Sequence, residues 1–454
     1  MTDPPGDHDT APIRDALRAR LTHLWATRVT VGQPVRLTGG ASRETLRVPV
    51  HTGDTHRQLV LRRDLLPTAD PDAMAREAAA LRAAAAAGVP VPVLVDHGPT
   101  LGGHPYLIMG HVTGETLPQR LLRDPAYAAV RTTLAAEIGA LAARIHTIDA
   151  ARIPGLPHPE PLTLLRELAD ADDTARPTVE LGLAWLTRHR PHPTTPTVVH
   201  GDLRNGNLLI GTDKLHAVLD WELVHHGDPT EDLGWACVKA WRFGTAPPVG
   251  GFGDRTQLLD GYRRVAGWAP DPDTLHWWEV YGTLRWVLLC RLQALAYLRG
   301  DRDTLEHAVI GRRVCEAEHD LLLALGLTHP APADDVLHHP TPRPTATAPH
   351  DAPDTTHLLT AVGDALTTGT FGDTYLTRVA ANALKIARRE HTLGPHLADR
   401  HQQRLTRLGL PDDAALAAAI RDGTPGHDLT TAVVDTVRDK LLVANPRYLG
   451  QPAE

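Results

Sequence analysis

Residues 198–210 read Val-Val-His-Gly-Asp-Leu-Arg-Asn-Gly-Asn-Leu-Leu-Ile, and residues 218–222 read Val-Leu-Asp-Trp-Glu. Three very short β-type runs, Val198–His200, Leu208–Ile210 and Ala217–Leu219, enclose polar loops. Asp202 and Asn207 sit five residues apart on one loop, and Asp220 follows thirteen residues after Asn207 at the end of the next short strand. A fold for this chain has to hold those three side chains together. The set suits phosphoryl transfer, in which one carboxylate takes or orients the proton of an attacking hydroxyl while an amide oxygen and a second carboxylate hold Mg²⁺ against nucleotide phosphates. An Asp-x₄-Asn pair alone is equally a polar loop closed by Asx turns. The ordered series strand, HGDxxxxN, strand, Asp is the specific signal.

Composition narrows the setting. The chain has 454 residues and a formal net charge of −8, which argues against nucleic acid or an anionic membrane as the main partner. The N-terminus MTDPPGDHDT lacks a basic region followed by an apolar run, so no secretory signal is expected there. Arg285 and Arg291 interrupt Val280–Leu298, the most apolar late segment, which therefore does not read as a membrane span. Cys237, Cys290 and Cys315 are too widely spaced for a disulfide framework or a zinc site. A soluble, reducing, cytoplasmic setting is the expectation. The 27 histidines show no HExxH-type spacing, so a histidine metal site is not expected. Only four lysines occur, Lys214, Lys239, Lys385 and Lys440, and none precedes residue 214.

Periodicity predicts a helix over 11–26, with Ile13, Leu17, Leu21 and Leu24 on one face. Antiparallel strands are expected at Val35–Leu37, Glu44–Val50 and Gln58–Arg62, broken by Gly39-Gly40 and Gly53-Asp54. A helix over 71–87 starts near Pro71 and stops at Gly88; strands Val91–His97 and Tyr106–Val112 follow. The pattern is helical over 118–190 and again from 228 to about 326. Residues 327–354, rich in Pro, Ala, Thr and His without an apolar period, read as a linker. Helices are then expected near 355–369, 373–391, 397–408, 412–421 and 427–444.

The HGDxxxxN…D series, with Gly227-Asp-Pro-Thr-Glu-Asp-Leu-Gly234 after it, resembles the signature of aminoglycoside phosphotransferase-like small-molecule kinases, relatives of choline kinases. That resemblance implies an α+β, bilobal protein-kinase-like fold: an N-lobe over 1–112 with a small antiparallel sheet, a helical C-lobe over 113–326, the linker, and an all-α accessory domain over 355–454. It implies Asp202 as catalytic base and Asn207 and Asp220 as metal ligands, with His200 and Asp232 shaping the loop. Leu37–Thr45 lies where a glycine-rich loop covers the triphosphate, with Gly39, Gly40 and Ser42 offering backbone and hydroxyl donors. Leu107–Val112, with Met109 and His111, is placed as the hinge facing the nucleotide base. Glu222 and Arg285 are candidate contacts to the acceptor.

Arg62 stands where the third strand's phosphate-binding lysine belongs in kinases, and Glu77 where its carboxylate partner belongs. With no lysine in this lobe, a forked, permanently charged arginine has to take that place, unless the chain is a pseudokinase. HGD in place of HRD, Asp-Trp-Glu in place of DFG, and only seven residues between Asp220 and Asp228 favour a small-molecule acceptor over a peptide. Trp277–Trp286 and Ile310–Leu322 resemble C-lobe helices of the kinases fused to some acyl-CoA dehydrogenases, and Arg378–Ile386, Glu390 and Asn445-Pro-Arg-Tyr448 resemble an uncharacterised helical domain attached to that branch. Packing is the expected role of the tryptophans and of Asn382. The expectation is a Mg²⁺-dependent O-phosphotransferase using ATP or GTP on a small hydroxylated metabolite, which in some members of the resembled branch is a hydroxyacyl-CoA. The alternatives are a nucleotide-binding pseudokinase that regulates a partner, and an aminoglycoside phosphotransferase.

Overall fold

Alternating polar and apolar residues along 44–63 form two long strands of a computed structural model that describes residues 11–452, apart from 38–42, 66–69, 71, 173, 302–304, 424 and most of 332–373. These strands are β3 (Glu44–Thr52) and β4 (Thr55–Arg63). Around them lie β1 (Thr30–Val31), β2 (Val35–Arg36), β5 (Leu94–Leu101) and β6 (His104–Gly110) in an antiparallel sheet of order β1-β3-β4-β6-β5, with β2 paired to β3. Period-two alternation divides β4 between two faces. Leu59 and Leu61 are buried under Leu17 and Leu21 of the helix Ala11–Trp25, whereas Val60 and Arg62 face the other way, into a cleft.

The chain divides into two compact units. The first comprises Met1–Pro159, Pro193–Ala236 and Phe252–Pro270. Besides the sheet it holds the helix Ala73–Ala86 and two helices, Ala128–Ile145 and Arg255–Ala266, whose backbones touch. A Cβ on Gly139 would lie 1.9 Å from the Leu258 carbonyl oxygen, and one on Gly261 would lie 2.0 Å from that of Ala136. Only glycine allows this crossing. The short runs around the 200–207 loop form β7 (Thr197–Val199), β8 (Leu208–Ile210) and β9 (Leu215–Val218), with β8 paired to β9. A tenth strand, β10 (His225–Gly227), pairs with β7. Its His-His-Gly sequence carries no strand propensity, and pairing alone makes it extended.

The second unit comprises Glu160–His192, Cys237–Gly251 and Asp271–Glu454 and is helical. Trp277, Trp278 and Tyr281 of the helix Pro272–Leu298 pack edge-on and stacked within its core, and Trp277 donates to the Leu186 carbonyl at 2.9 Å. These tryptophans are packing residues, as expected. A second cluster joins Leu181, Cys315 and Leu322 to Ile386, Leu397, Leu441 and Leu449, so the late helices share a core with helices from 177–188 and 314–324.

Two expectations change here. Thr374–Arg407 is one helix of 34 residues, not two, and it runs through Pro395. Leu393 and Leu397, on either side of the proline, are buried in the same cluster, so tertiary packing carries the helix past a residue that normally breaks it. Asn382 is exposed, off the buried stripe of Thr377, Ala381 and Ile386. The linker's residues 332–354 and the helix expected at 355–369 lie almost wholly outside the described residues. No helix among the described residues is long and apolar enough to cross a membrane.

Candidate active site

The cleft beneath the sheet lies wholly in the first unit and has a volume of about 540 Å³. Val60, Met109 and Leu209 contribute apolar walls, and Arg62, Glu77, Asn207 and Asp220 bring polar groups to the same space. This is the usual make-up of a pre-formed ligand pocket.

The loop after β7 is held by buried hydrogen bonds. Asp232, in the first turn of the helix Thr230–Cys237, accepts from the backbone N–H groups of His200 and Gly201, each at 2.9 Å. Burial pushes the Asp232 carboxyl up, but the hydrogen bond and charge of His146, with the contacts to His200, outweigh it and leave the group below its ordinary value. Gly201 adopts φ +79°, and a Cβ there would meet the Leu223 carbonyl at 2.5 Å. The His200 ring accepts from the Asp202 N–H through Nδ1 at 3.2 Å, which leaves Nε2–H to donate to the Leu219 carbonyl at 3.0 Å. His200 therefore ties the Asp202 loop to the strand that delivers Asp220.

Asp202 is fixed from three sides. Oδ1 accepts from Trp235 Nε1 at 2.7 Å and from Arg204 Nε at 3.0 Å, and Oδ2 accepts from Asn207 Nδ2 at 2.5 Å. The same amide nitrogen reaches the Asp202 backbone carbonyl at 3.0 Å. Since the N–H groups of Asn207 point at Asp202, its carbonyl oxygen is the atom left to meet a cation. Asp220 sits in the left-handed region, at φ 66° and ψ 64°, a conformation aspartate tolerates better than most residues.

A chain of charges links Arg62, Glu77 and Asp220 in the same cleft. Arg62 Nη1 donates to Glu77 Oε1 at 2.6 Å, and Nη2 donates to Asp220 Oδ1 at 2.7 Å. Arg43 donates to the other Glu77 oxygen and places Nε 3.5 Å from Glu222 Oε2. Burial pushes the Asp220 carboxyl up, yet the Arg62 charge and hydrogen bond pull it below the ordinary carboxylate value. Glu222 goes the other way. Burial and the neighbouring Asp220 charge push it up to about 7, against the pull of Arg43 and Arg62. Three carboxylates, Glu77, Asp220 and Glu222, thus share two guanidiniums. A cleft with a carboxylate (Asp220) and an amide oxygen (Asn207) among its lining residues fits a hard divalent cation.

Of the residues expected at the site, Arg62, Glu77, Met109, His111, Asn207 and Asp220 line the cleft. The His111 N–H is taken by the Gln58 carbonyl at 3.0 Å. Gly39, Gly40 and Ser42 lie outside the described residues. Arg285 belongs to the second unit, buried in the helix Pro272–Leu298, and is not among the cleft-lining residues. Three contributors went unnoticed in the sequence: Arg43, Arg204 and Trp235. Trp235 had a readable signal, since it lies three residues after Asp232 and so on the same helix face.

Comparison with known proteins agrees with this geometry. Residues 35–268, half the chain, match the model of the phosphotransferase enzyme family, and residues 370–448 match a domain of unknown function. Mouse acyl-CoA dehydrogenase family member 10 is 30% identical over 55% of this chain, a match that spans only 25% of that protein. Viomycin phosphotransferase of Streptomyces vinaceus is 28% identical over 46% of this chain and 70% of that protein. A crystal structure of a Ralstonia eutropha protein assigned to the aminoglycoside phosphotransferases superposes with a TM-score of 0.53 at 20% identity, covering 69% of this chain and 98% of that one. The chain accordingly belongs to the phosphotransferase enzyme family and has the aminoglycoside phosphotransferase fold.

Proposed function

We propose that the chain transfers the γ-phosphoryl group of ATP or GTP to a hydroxyl of a small molecule, with Mg²⁺ in the cleft. The observation that carries this reading is that Asn207, which lines the cleft, is hydrogen-bonded to Asp202, while Arg62 in the same cleft reaches both Glu77 and Asp220. Asp202 accepts the proton of the acceptor hydroxyl as its oxygen bonds to the γ-phosphorus and the bond to the β–γ bridging oxygen breaks, releasing the nucleoside diphosphate. Trp235 and Arg204 orient the carboxylate for that transfer. Asn207 and Asp220 would hold Mg²⁺, whose chemistry is to neutralise phosphate charge. Arg62 offers a fork of donors to the phosphates where other kinases offer a point charge. Apolar walls at Val60 and Leu209 suit a purine base between them.

The acceptor divides along the two named relatives. Similarity to the acyl-CoA dehydrogenase family protein, which spans a quarter of that protein, prompts a hydroxylated acyl metabolite as the first acceptor to test. The match covering most of viomycin phosphotransferase supports a basic antibiotic as second reading. A screen for Mg·ATP- and Mg·GTP-dependent phosphate transfer onto hydroxyacyl-CoAs, viomycin and aminoglycosides separates them. Asp202→Ala is expected to lower kcat by roughly 10²–10⁴-fold while leaving nucleotide binding intact. A wild-type protein that binds Mg·nucleotide yet phosphorylates no hydroxyl would overturn the enzyme reading in favour of a pseudokinase.

A further inference from the structure

We infer that Arg43 is a positioning residue for nucleotide binding: it fixes Glu77 so that Arg62 can exchange Asp220 for the triphosphate. The inference rests on the phosphotransfer reading of the cleft and adds to it a residue that acts from behind the site.

Glu77 is 2% exposed, and both of its oxygens are engaged, Oε1 by Arg62 and Oε2 by Arg43. Arg43 is itself buried, with its side chain 6% exposed, and it is not among the residues that line the cleft. Its Nε also lies 3.5 Å from Glu222 Oε2 and 3.8 Å from Asp64 Oδ2, so it has anchors on the end of β4 and on the segment after Asp220. Arg62, in contrast, lines the cleft and divides its fork between Glu77 and Asp220.

The consequence follows from how the fork has to move. When Asp220 turns toward a cation, Nη2 of Arg62 is released and becomes available to a phosphate oxygen. Nη1 keeps the guanidinium in register only if Glu77 stays in place. A carboxylate held by one guanidinium alone would follow that guanidinium. One held at its second oxygen by another buried arginine does not. A lysine places a single point charge and needs no such brace, whereas a planar fork works only in a defined orientation. The brace therefore belongs with the arginine at position 62.

The test is a cycle of Arg43→Ala, Glu77→Gln and the double variant in the full chain, read as the dissociation constants of Mg·ATP and of adenosine. Arg43→Ala is expected to weaken Mg·ATP by about tenfold, the equivalent of one lost charged hydrogen bond, and adenosine by less than about twofold. Arg43→Lys restores part of the loss. In the Glu77→Gln background, removing Arg43 adds less than about twofold, since it acts through Glu77. Equal losses for ATP and adenosine, or a full tenfold loss in the Glu77→Gln background, would overturn the inference and leave the phosphotransfer reading standing. A wild type that binds no Mg·nucleotide overturns both. Should Arg43→Ala not fold, Arg43→Gln carries the same cycle.

Discussion

Two buried ion clusters, one in each unit, use the same residue types in opposite proportion. Around Arg62, the carboxylates of Glu77, Asp220 and Glu222 share the guanidiniums of Arg43 and Arg62. On the helix Val314–Ala324, three buried carboxylates are each supplied separately. Glu316 pairs with Arg313 and accepts from Asn445, Glu318 pairs with Arg176 and Lys440, and Asp320 pairs with Lys239 and accepts from Tyr448. The first cluster has more carboxylates than guanidiniums and opens on a cleft, where a divalent cation would improve the balance. The second has more cations than carboxylates and is complete. Burial of charge is common to both, and it is the balance of signs that separates a binding site from a scaffold.

The largest expected effect lies in the complete cluster. Lys239→Met leaves Asp320 buried beside only the Tyr448 hydroxyl and should destabilise the protein by about 3–5 kcal/mol in chemical denaturation. Adding Asp320→Leu should recover most of that loss. A single variant as stable as wild type would show that the cluster is not a scaffold.

The acid-rich cluster should respond to pH instead. Glu222 rises from 4.5 to about 7 in the fold, so between those values the folded protein binds more protons than the unfolded chain. Stability of the Mg²⁺-free protein from this group is therefore present below about 4.5 and lost as pH climbs to about 7. The loss should be on the order of 1–2 kcal/mol, reduced by the 23% exposure of the side chain. Melting temperatures across that window should fall for wild type and stay level for Glu222→Gln. Identical profiles would remove the claim that this ion cluster carries surplus acid.

An effect of similar size is expected at Tyr448. Tyr448→Phe deletes the hydroxyl bonded to Asp320 at 2.8 Å but keeps the ring 4.3 Å from the Lys239 ammonium. A cost of about 1–2 kcal/mol in the same denaturation measurement fits one lost hydrogen bond to a charged group. A cost as large as that of Lys239→Met would mean that the hydroxyl, and not the ammonium, holds the cluster together.

Much of this was legible because it is local. Alternation along 55–63 puts Arg62 on the face opposite Leu59 and Leu61, and the five-residue spacing of Asp202 and Asn207 lets one loop present both. The apolar period of 11–26 foretold the helix that covers the sheet. Arg43 was not legible, because its partner Glu77 lies 34 residues away, beyond two strands and on the following helix, and an arginine near a glycine pair reads as solvated. The run Glu-Ala-Glu-His-Asp over 316–320 likewise looks like a water-facing helix, yet Glu316, Glu318, His319 and Asp320 are all buried. Their partners Lys440, Asn445 and Tyr448 come from more than a hundred residues downstream.

The sequence by itself determined the order of the elements and the residues able to do the chemistry, since strand alternation, glycine turns and loop spacing act within a few residues of one another. Tertiary structure alone decided which charges are removed from water and which partner each receives. Desolvation depends on what packs over a side chain, and here the covering residue is usually far away along the chain.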